Sequence, residues 1–421
     1  MPAERPRQIA LAAALLVPLG LLHAFVLAEI CIAAVDVLFL AECARRRDFG
    51  WLRQGWVRVG LLWWGWLLLC STPLPLPGFG SAGWALGFLQ VLVIIRLLLF
   101  TAALQSWVLT TPEARRAFWW ALALCAVWIG LESWQQYLTG RNIFGDPRWG
   151  DGALTGPFWK PRAGAAYAHL LYPALLPPVL ALLARPGLGA RLAGLGLAAL
   201  GVLTAVFIGQ RMPVALTGLG LAVAALYVRQ LRPVAVLVFA LAVLAVLLTP
   251  IISPPTYAKL VQETARNLGH FLLSPYGELY TRAAVMAQQS PWHGWGYNGF
   301  RVGCPLPRFG GGFPALGIAP TLIGLGACNL HPHNYYMQAL TDAGFPGLIL
   351  FAALGVAWLR ALGAGLWRQP EALRLGLFIG ALTFIWPIGS TDEFPTLYMP
   401  GWLFVLLGLG LALIPTREPR G

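Results

Sequence analysis

Apolar runs of about 20 residues, bounded by arginine, glycine or proline, dominate this chain, and a run of that length wound as a helix spans the hydrocarbon core of a bilayer. Such runs lie near residues 8–22, 24–44, 57–73, 83–107, 116–138, 164–184 and 190–209, and again near 212–230, 233–252, 335–359, 373–390 and 396–414. The expected fold is therefore an all-α polytopic membrane protein of about 12 transmembrane helices. Composition agrees, with 58% of the 421 residues hydrophobic and 11% charged, far from the soluble range. Continuous apolar runs exclude an outer-membrane barrel, whose strands alternate polar and apolar residues. The net charge of +13 is almost all arginine, dispersed between apolar runs instead of gathered into a stripe, so no nucleic-acid partner is expected.

The arginines orient the chain. Arg5 and Arg7 lead straight into the first run without a small-residue cleavage site, which reads as a retained helix and puts both termini in the cytoplasm. With that parity, 18 of the 29 basic residues obey the positive-inside rule. Arg96 lies within a run, where it should snorkel or pair with an intramembrane glutamate. The outer face keeps Arg141, Arg148, Lys160, Arg162, Arg211, Lys259, Arg266, Arg282, Arg301 and Arg308, against the acids Asp146, Asp151, Glu263, Glu278, Asp392 and Glu393. A face this basic suggests an anionic ligand.

Three parts follow. Residues 1–252 carry nine helices and a basic outer loop at 139–163, residues 253–334 form a large outer loop, and residues 335–421 carry the last three helices. Loops this long are usually functional. Within the large loop, 256–290 reads as one or two amphipathic helices. Cys31, Cys43, Cys70 and Cys125 are small apolar packers, whereas Cys304 and Cys328 share the outer loop and could be joined in an oxidising compartment.

The densest chemistry is His331-Pro332-His333-Asn334, directly before an apolar run. Asn334 suits an N-cap, and the positive end of the helix dipole favours a neutral imidazole able to accept a proton. The alternative is that both histidines only cap the helix. His270 and His293 come without CxxC or HExxH spacing, so no metal is expected. In GQRMP, Arg211 stands between two apolar runs, and Pro213 places it at a helix amino terminus, a natural anion receptor unless an ion pair engages it. Arg282 lies on a predicted loop helix that could cover the membrane. Arginine forks and one neutral histidine suit a reaction in which a diphosphate leaves without magnesium. Acidic metal clusters, a Walker loop and a Rossmann loop are all missing from the sequence.

GQRMP, then Arg282 followed by PWHGWGYNGF, then HPHNYYMQALTDAGFPGL, resembles the O-antigen ligase superfamily, which also contains O-antigen polymerases and protein O-oligosaccharyltransferases. The resemblance covers roughly residues 139–360. It implies a metal-independent, inverting glycosyltransferase of the GT-C type with a large helical periplasmic loop and no cofactor. Such an enzyme moves a glycan from undecaprenyl diphosphate in the bacterial inner membrane, with its active site on the periplasmic face. By position, His333 matches the catalytic base and His331 a supporting residue. Arg211 and Arg282 match a diphosphate clamp, Lys160 and Arg162 a basic stretch reaching the same diphosphate, and His293 a further loop histidine.

Within the superfamily, the paired histidines favour a ligase, with lipid A-core as acceptor and inner-membrane lipids as surroundings, over a polymerase. A protein O-oligosaccharyltransferase would want a longer carboxy-terminal region. A transporter or flippase for an anionic lipid is the alternative of another class; it would need intramembrane carboxylates, for which Glu29, Asp36 and Glu132 are the candidates.

Overall fold

A computed structural model of the chain describes residues 4–72, 84–320, 328, 331–389, 391, 394 and 396–414, so Asp392 and Glu393 lie outside the described residues. The helices run α1 Glu4–His23, α2 Phe25–Arg46, α3 Gly55–Cys70, α4 Trp84–Ala103, α5 Pro112–Thr139, α6 Ala163–Leu183, α7 Leu188–Ile208, α8 Arg211–Tyr227 and α9 Leu231–Ile252. The large loop follows with α10 Pro254–Tyr257, α11 Glu263–Gly269, α12 Pro275–Gln289 and α13 Gly299–Gly303, and the chain closes with α14 Tyr335–Gly363, α15 Ala372–Phe384 and α16 Pro400–Ala412. Among the described residues, β-structure is limited to isolated bridges, Arg141–Pro147 and Phe313–Ile318.

All twelve apolar runs form helices, α1 to α9 and α14 to α16. Among the described residues, seven helices are long and apolar enough to cross a membrane: α1, α4 with its π-helical continuation to Val108, α5, α6, α7, α9 and α14. Four more, α3, α8, α15 and α16, are apolar but have only 10–17 residues, short of the roughly 20 that a full crossing takes. The remaining helix, α2, carries three carboxylates. Glu29 pairs with Arg96, as expected for that arginine, at 2.6 and 2.8 Å. Glu42 is held by Arg45 and Arg46, and Asp36 is buried with neither oxygen hydrogen-bonded.

α16 is apolar all round and buried from Pro400 to Leu411, which makes it the central helix of the bundle. α6 and α15 pack closely, because Gly376 lets the two backbones approach: a Cβ there would lie 2.6 Å from the Tyr172 carbonyl oxygen.

Two runs are shorter as helices than the sequence suggests. α15 stops at Phe384 and α16 waits until Pro400, which takes its usual place in a first turn. Pro387 cannot continue a helix, and the carbonyls freed between them are claimed by α14: Tyr336 Oη donates to Ile385 O at 2.7 Å, and Asn334 Nδ2 to Pro387 O at 2.7 Å and Gly389 O at 3.4 Å.

α14 is itself broken. Gly344 adopts φ 65°, ψ −168°, a conformation open only to glycine, and Pro346 opens the second segment. The carbonyls released at the break find donors: Trp295 N–H to Thr341 O at 2.8 Å, Gly296 N–H to Asp342 O at 2.9 Å, and Trp66 Nε1 to Ala343 O at 2.9 Å. Phe345 N–H returns a bond to Pro291 O at 2.7 Å. The loop segment 291–296 is thereby stitched into the kink.

The loop helices bury a small core of their own, formed by Leu279, Ala283, Val285, Met286, Phe300, Cys304 and Phe309. Cys304 is joined to Cys328 across a Cα–Cα distance of 5.7 Å, closing a loop of 24 residues; the other four cysteines are free and buried.

A Cβ at Gly344 would sit 2.5 Å from Trp292 C and 2.6 Å from Pro291 O. Gly344→Ala should therefore cost at least ~1–3 kcal/mol in backbone strain alone and lower the melting temperature in detergent. Gly65→Ala, with nothing within 4 Å of its Cβ, should not. Alkylation of the unreduced, denatured chain should label four cysteines, rising to all 6 after reduction.

Candidate active site

The histidine pair is built by the start of α14. Asn334 caps the helix, its Oδ1 accepting from Tyr336 N at 3.0 Å and Met337 N at 3.1 Å, while Nδ2 reaches the 385–389 segment. The cap pins the residues before it, and His333 sits in the left-handed region at φ 53°, uncommon for a non-glycine residue. Its position is fixed by a reciprocal pair of bonds: Thr391 N–H donates to His333 O at 2.9 Å, and His333 Nδ1 meets Thr391 O at 3.0 Å.

These contacts set the tautomers. A carbonyl only accepts, so His333 Nδ1 carries the proton, and Nε2 is the basic nitrogen of the neutral ring. His333 N–H donates to His331 Nδ1 at 3.2 Å, so that nitrogen is an acceptor and the proton of a neutral His331 is on Nε2. The two rings meet edge-on at 4.4 Å, and Tyr276 flanks His333 at 5.7 Å. Tyr280 lies one turn along α12; burial pushes its phenol above the ordinary value, and the polar side chain of Asn334 partly offsets the rise. From the sequence Tyr280 is expected only as part of an amphipathic helix, and Tyr276 and Thr391 carry no expectation. The tyrosines are spaced i, i+4 on one face of an amphipathic helix, a signal that was available, whereas Thr391 acts through its backbone and leaves none.

Arg211 opens α8, as the sequence suggests. It is not alone: its Nη2 lies 3.3 Å from Glu263 Oε1, and Glu263 is shared with Lys259 at 3.5 Å, which also holds Asp151. The acid that sequence proximity failed to supply comes from the large loop, 52 residues away. Lys160 stands over Trp159 at 4.4 Å and Arg162 over Tyr398 at 3.9 Å, cation–π contacts. Among the described residues neither forms an ion pair.

These groups are linked through a few contacts. Thr391 holds His333; three residues on, Gln338 clamps Phe394, whose N–H donates to Gln338 Oε1 at 2.9 Å and whose O accepts from Gln338 Nε2 at 3.0 Å. The same segment reaches Tyr398 beneath Arg162, and Pro161 accepts from Gln210, the residue before Arg211.

Arg282 and His293 are placed differently. Arg282 does not lie on an outer surface of its helix; it is fully buried beside the loop core and donates to the Cys304 carbonyl. Burial lowers its pKa and Glu278, one turn earlier, raises it. His293 Nδ1 lies 3.0 Å from both Ser290 Oγ and Gly294 O, beside the Gly344 kink. Among the described residues no cluster of three or more metal-ligating side chains occurs. Of the carboxylates a proton-coupled carrier would use, Glu29 is paired with Arg96 and Glu132 accepts from Ile143 N–H at 3.0 Å.

The architecture is that of a multi-pass helical membrane protein with a loop-borne histidine pair. Residues 179–352 match the family model described as O-antigen ligase. The match takes in Arg211, Arg282, His293, His331 and His333; Lys160 and Arg162 precede it. No curated protein matches the chain.

Arg211→Glu should destabilise the loop, and adding Glu263→Arg should recover the ~0.2–1 kcal/mol expected of a partly exposed pair. Failure of the exchange to recover that stability would show that the two side chains do not attract each other.

Proposed function

We propose that the chain is an O-antigen ligase, transferring O-antigen polysaccharide from undecaprenyl diphosphate to a sugar hydroxyl of lipid A-core. In this reading twelve helices cross the bacterial inner membrane, both termini are cytoplasmic, and the active site faces the periplasm. The observation that carries it is the hold on His333: its Nδ1 lies 3.0 Å from the Thr391 carbonyl, which can only accept, so in a neutral ring the basic nitrogen is Nε2. The acceptor hydroxyl gives its proton to that nitrogen as its oxygen attacks the anomeric carbon. The bond from that carbon to the diphosphate oxygen breaks, with inversion, and the electron pair leaves on the diphosphate.

The leaving group's charge is met by cations instead of a metal. Lys160 and Arg162, with no carboxylate paired among the described residues, and Arg211 at the start of α8, are the residues for it. Arg282 contributes from within the loop core by holding the Cys304 backbone, a positioning role beside the clamp that the resemblance implies. His331 supports His333 through its Nδ1, and His293 braces the loop segment docked at the α14 kink.

Glycan transfer in liposomes, from an undecaprenyl-diphosphate-linked oligosaccharide to lipid A-core with excess EDTA, tests the reading. Wild type should transfer. His333→Ala should lose more than ~10²-fold in rate, as for removal of a general base, and His331→Ala less. Equal and small losses in both would remove the base assignment. Lengthening of the donor glycan without transfer to lipid A-core would identify a polymerase, and donor lipid moved across the bilayer a carrier.

A further inference from the structure

Away from the histidine pair, a cleft of about 440 Å³ opens between α2 and α4, lined among others by Phe25, Glu29, Gln90, Arg96, Tyr297 and Tyr398. Its setting is apolar: Val26 and Ile30 on α2, and Leu89 and Val93 on α4, are strongly exposed beside it, as expected of surfaces that meet lipid chains. Within this setting lies a bidentate ion pair, Arg96 Nε and Nη2 on the two oxygens of Glu29 at 2.8 and 2.6 Å. The third guanidinium nitrogen of Arg96 is spent on the Val93 carbonyl at 2.9 Å. A charged pair facing an opening at membrane depth marks a polar pathway more often than a packing device.

The cleft joins the candidate active site by two routes. Tyr398, on its wall, carries Arg162 at 3.9 Å, and Phe25 lies 5.8 Å from the same guanidinium. Thr396 and Leu397 in that wall continue the segment whose Thr391 holds His333. Arg96 lines the opening with one carboxylate, Glu29, while Arg162 stands against the wall residues Tyr398 and Phe25. With Glu29 on Arg96 the charge there is matched; with Glu29 moved aside, the Arg96 fork faces the opening and the Arg162 charge stands behind its wall, which suits an anionic diphosphate head.

We propose that this cleft receives the diphosphate head of a bilayer lipid arriving sideways between α2 and α4, with Glu29 occupying Arg96 as a latch until the head displaces it. The identity of the lipid rests on the ligase reading; the latch itself does not. Glu29 is then a competitor of the ligand, and its removal strengthens binding. An ion pair serving only to hold α2 against α4 gives the opposite sign, because losing either partner loosens the cleft.

The test is titration of the full chain with undecaprenyl diphosphate, read by native mass spectrometry, with phosphatidylglycerol and phosphatidylcholine in parallel. Glu29→Gln should bind the diphosphate lipid about tenfold more tightly, the gain from freeing a site that is latched nine times in ten. Arg96→Gln should bind it about tenfold more weakly, having lost a charge-assisted fork. Weakening in both variants, or no change in Glu29→Gln, overturns the latch, and Glu29→Gln decides alone if Arg96→Gln does not fold. Equal shifts for phosphatidylglycerol overturn the diphosphate assignment. Opposite signs in a protein that transfers no glycan keep the cleft and remove the ligase reading; transfer with equal signs does the reverse.

Discussion

The break in α14 leaves backbone carbonyls open in surroundings with little water, and each needs a donor from elsewhere in the chain. Trp295, Gly296 and Trp66 supply them at Thr341, Asp342 and Ala343, and Tyr336 and Asn334 supply them along 385–389. The same bonds that satisfy these groups fix the loop against α14 and the 385–399 segment against the histidines. Position at the site is therefore a by-product of backbone accounting. A side chain placed this way owes its precision to hydrogen bonds that the bundle cannot do without.

The distribution of charge follows the same economy. Carboxylates in α2 are each held near an arginine or buried, and the loop acids Asp151 and Glu263 are tied to Lys259 and Arg211. Lys160 and Arg162 instead lean on aromatic faces, which hold a cation without cancelling its charge. Among the described residues these two cations keep their charge without an ion pair, unlike Lys259 and Arg211.

Much of this was legible in the sequence. Hydropathy located twelve helices, because apolar periodicity is local, and Asn334 and Pro213 marked helix starts through capping and ring geometry that depend on a few neighbouring residues. Length misled where local rules met tertiary demand: the runs at 373–390 and 396–414 read as full spans, yet their facing ends unwind because α14 takes up their carbonyls. Arg282 looked like a surface residue on an amphipathic helix, whose period places it near the polar border, and only the loop core shows it buried. The partnership of Arg211 with Glu263 spans α9 and the whole loop entrance, a separation over which sequence carries no pairing signal.

Residue 391 holds His333 through its backbone, with the Thr391 hydroxyl buried and without a hydrogen-bond partner. Any residue with an N–H and a carbonyl can supply that grip. The element that chooses the imidazole's tautomer is thereby nearly silent to side-chain exchange: scanning mutagenesis would pass over it, and related chains could carry different residues at this place while keeping the same proton on the same nitrogen. Proline is the exception, since it keeps the carbonyl and removes the N–H.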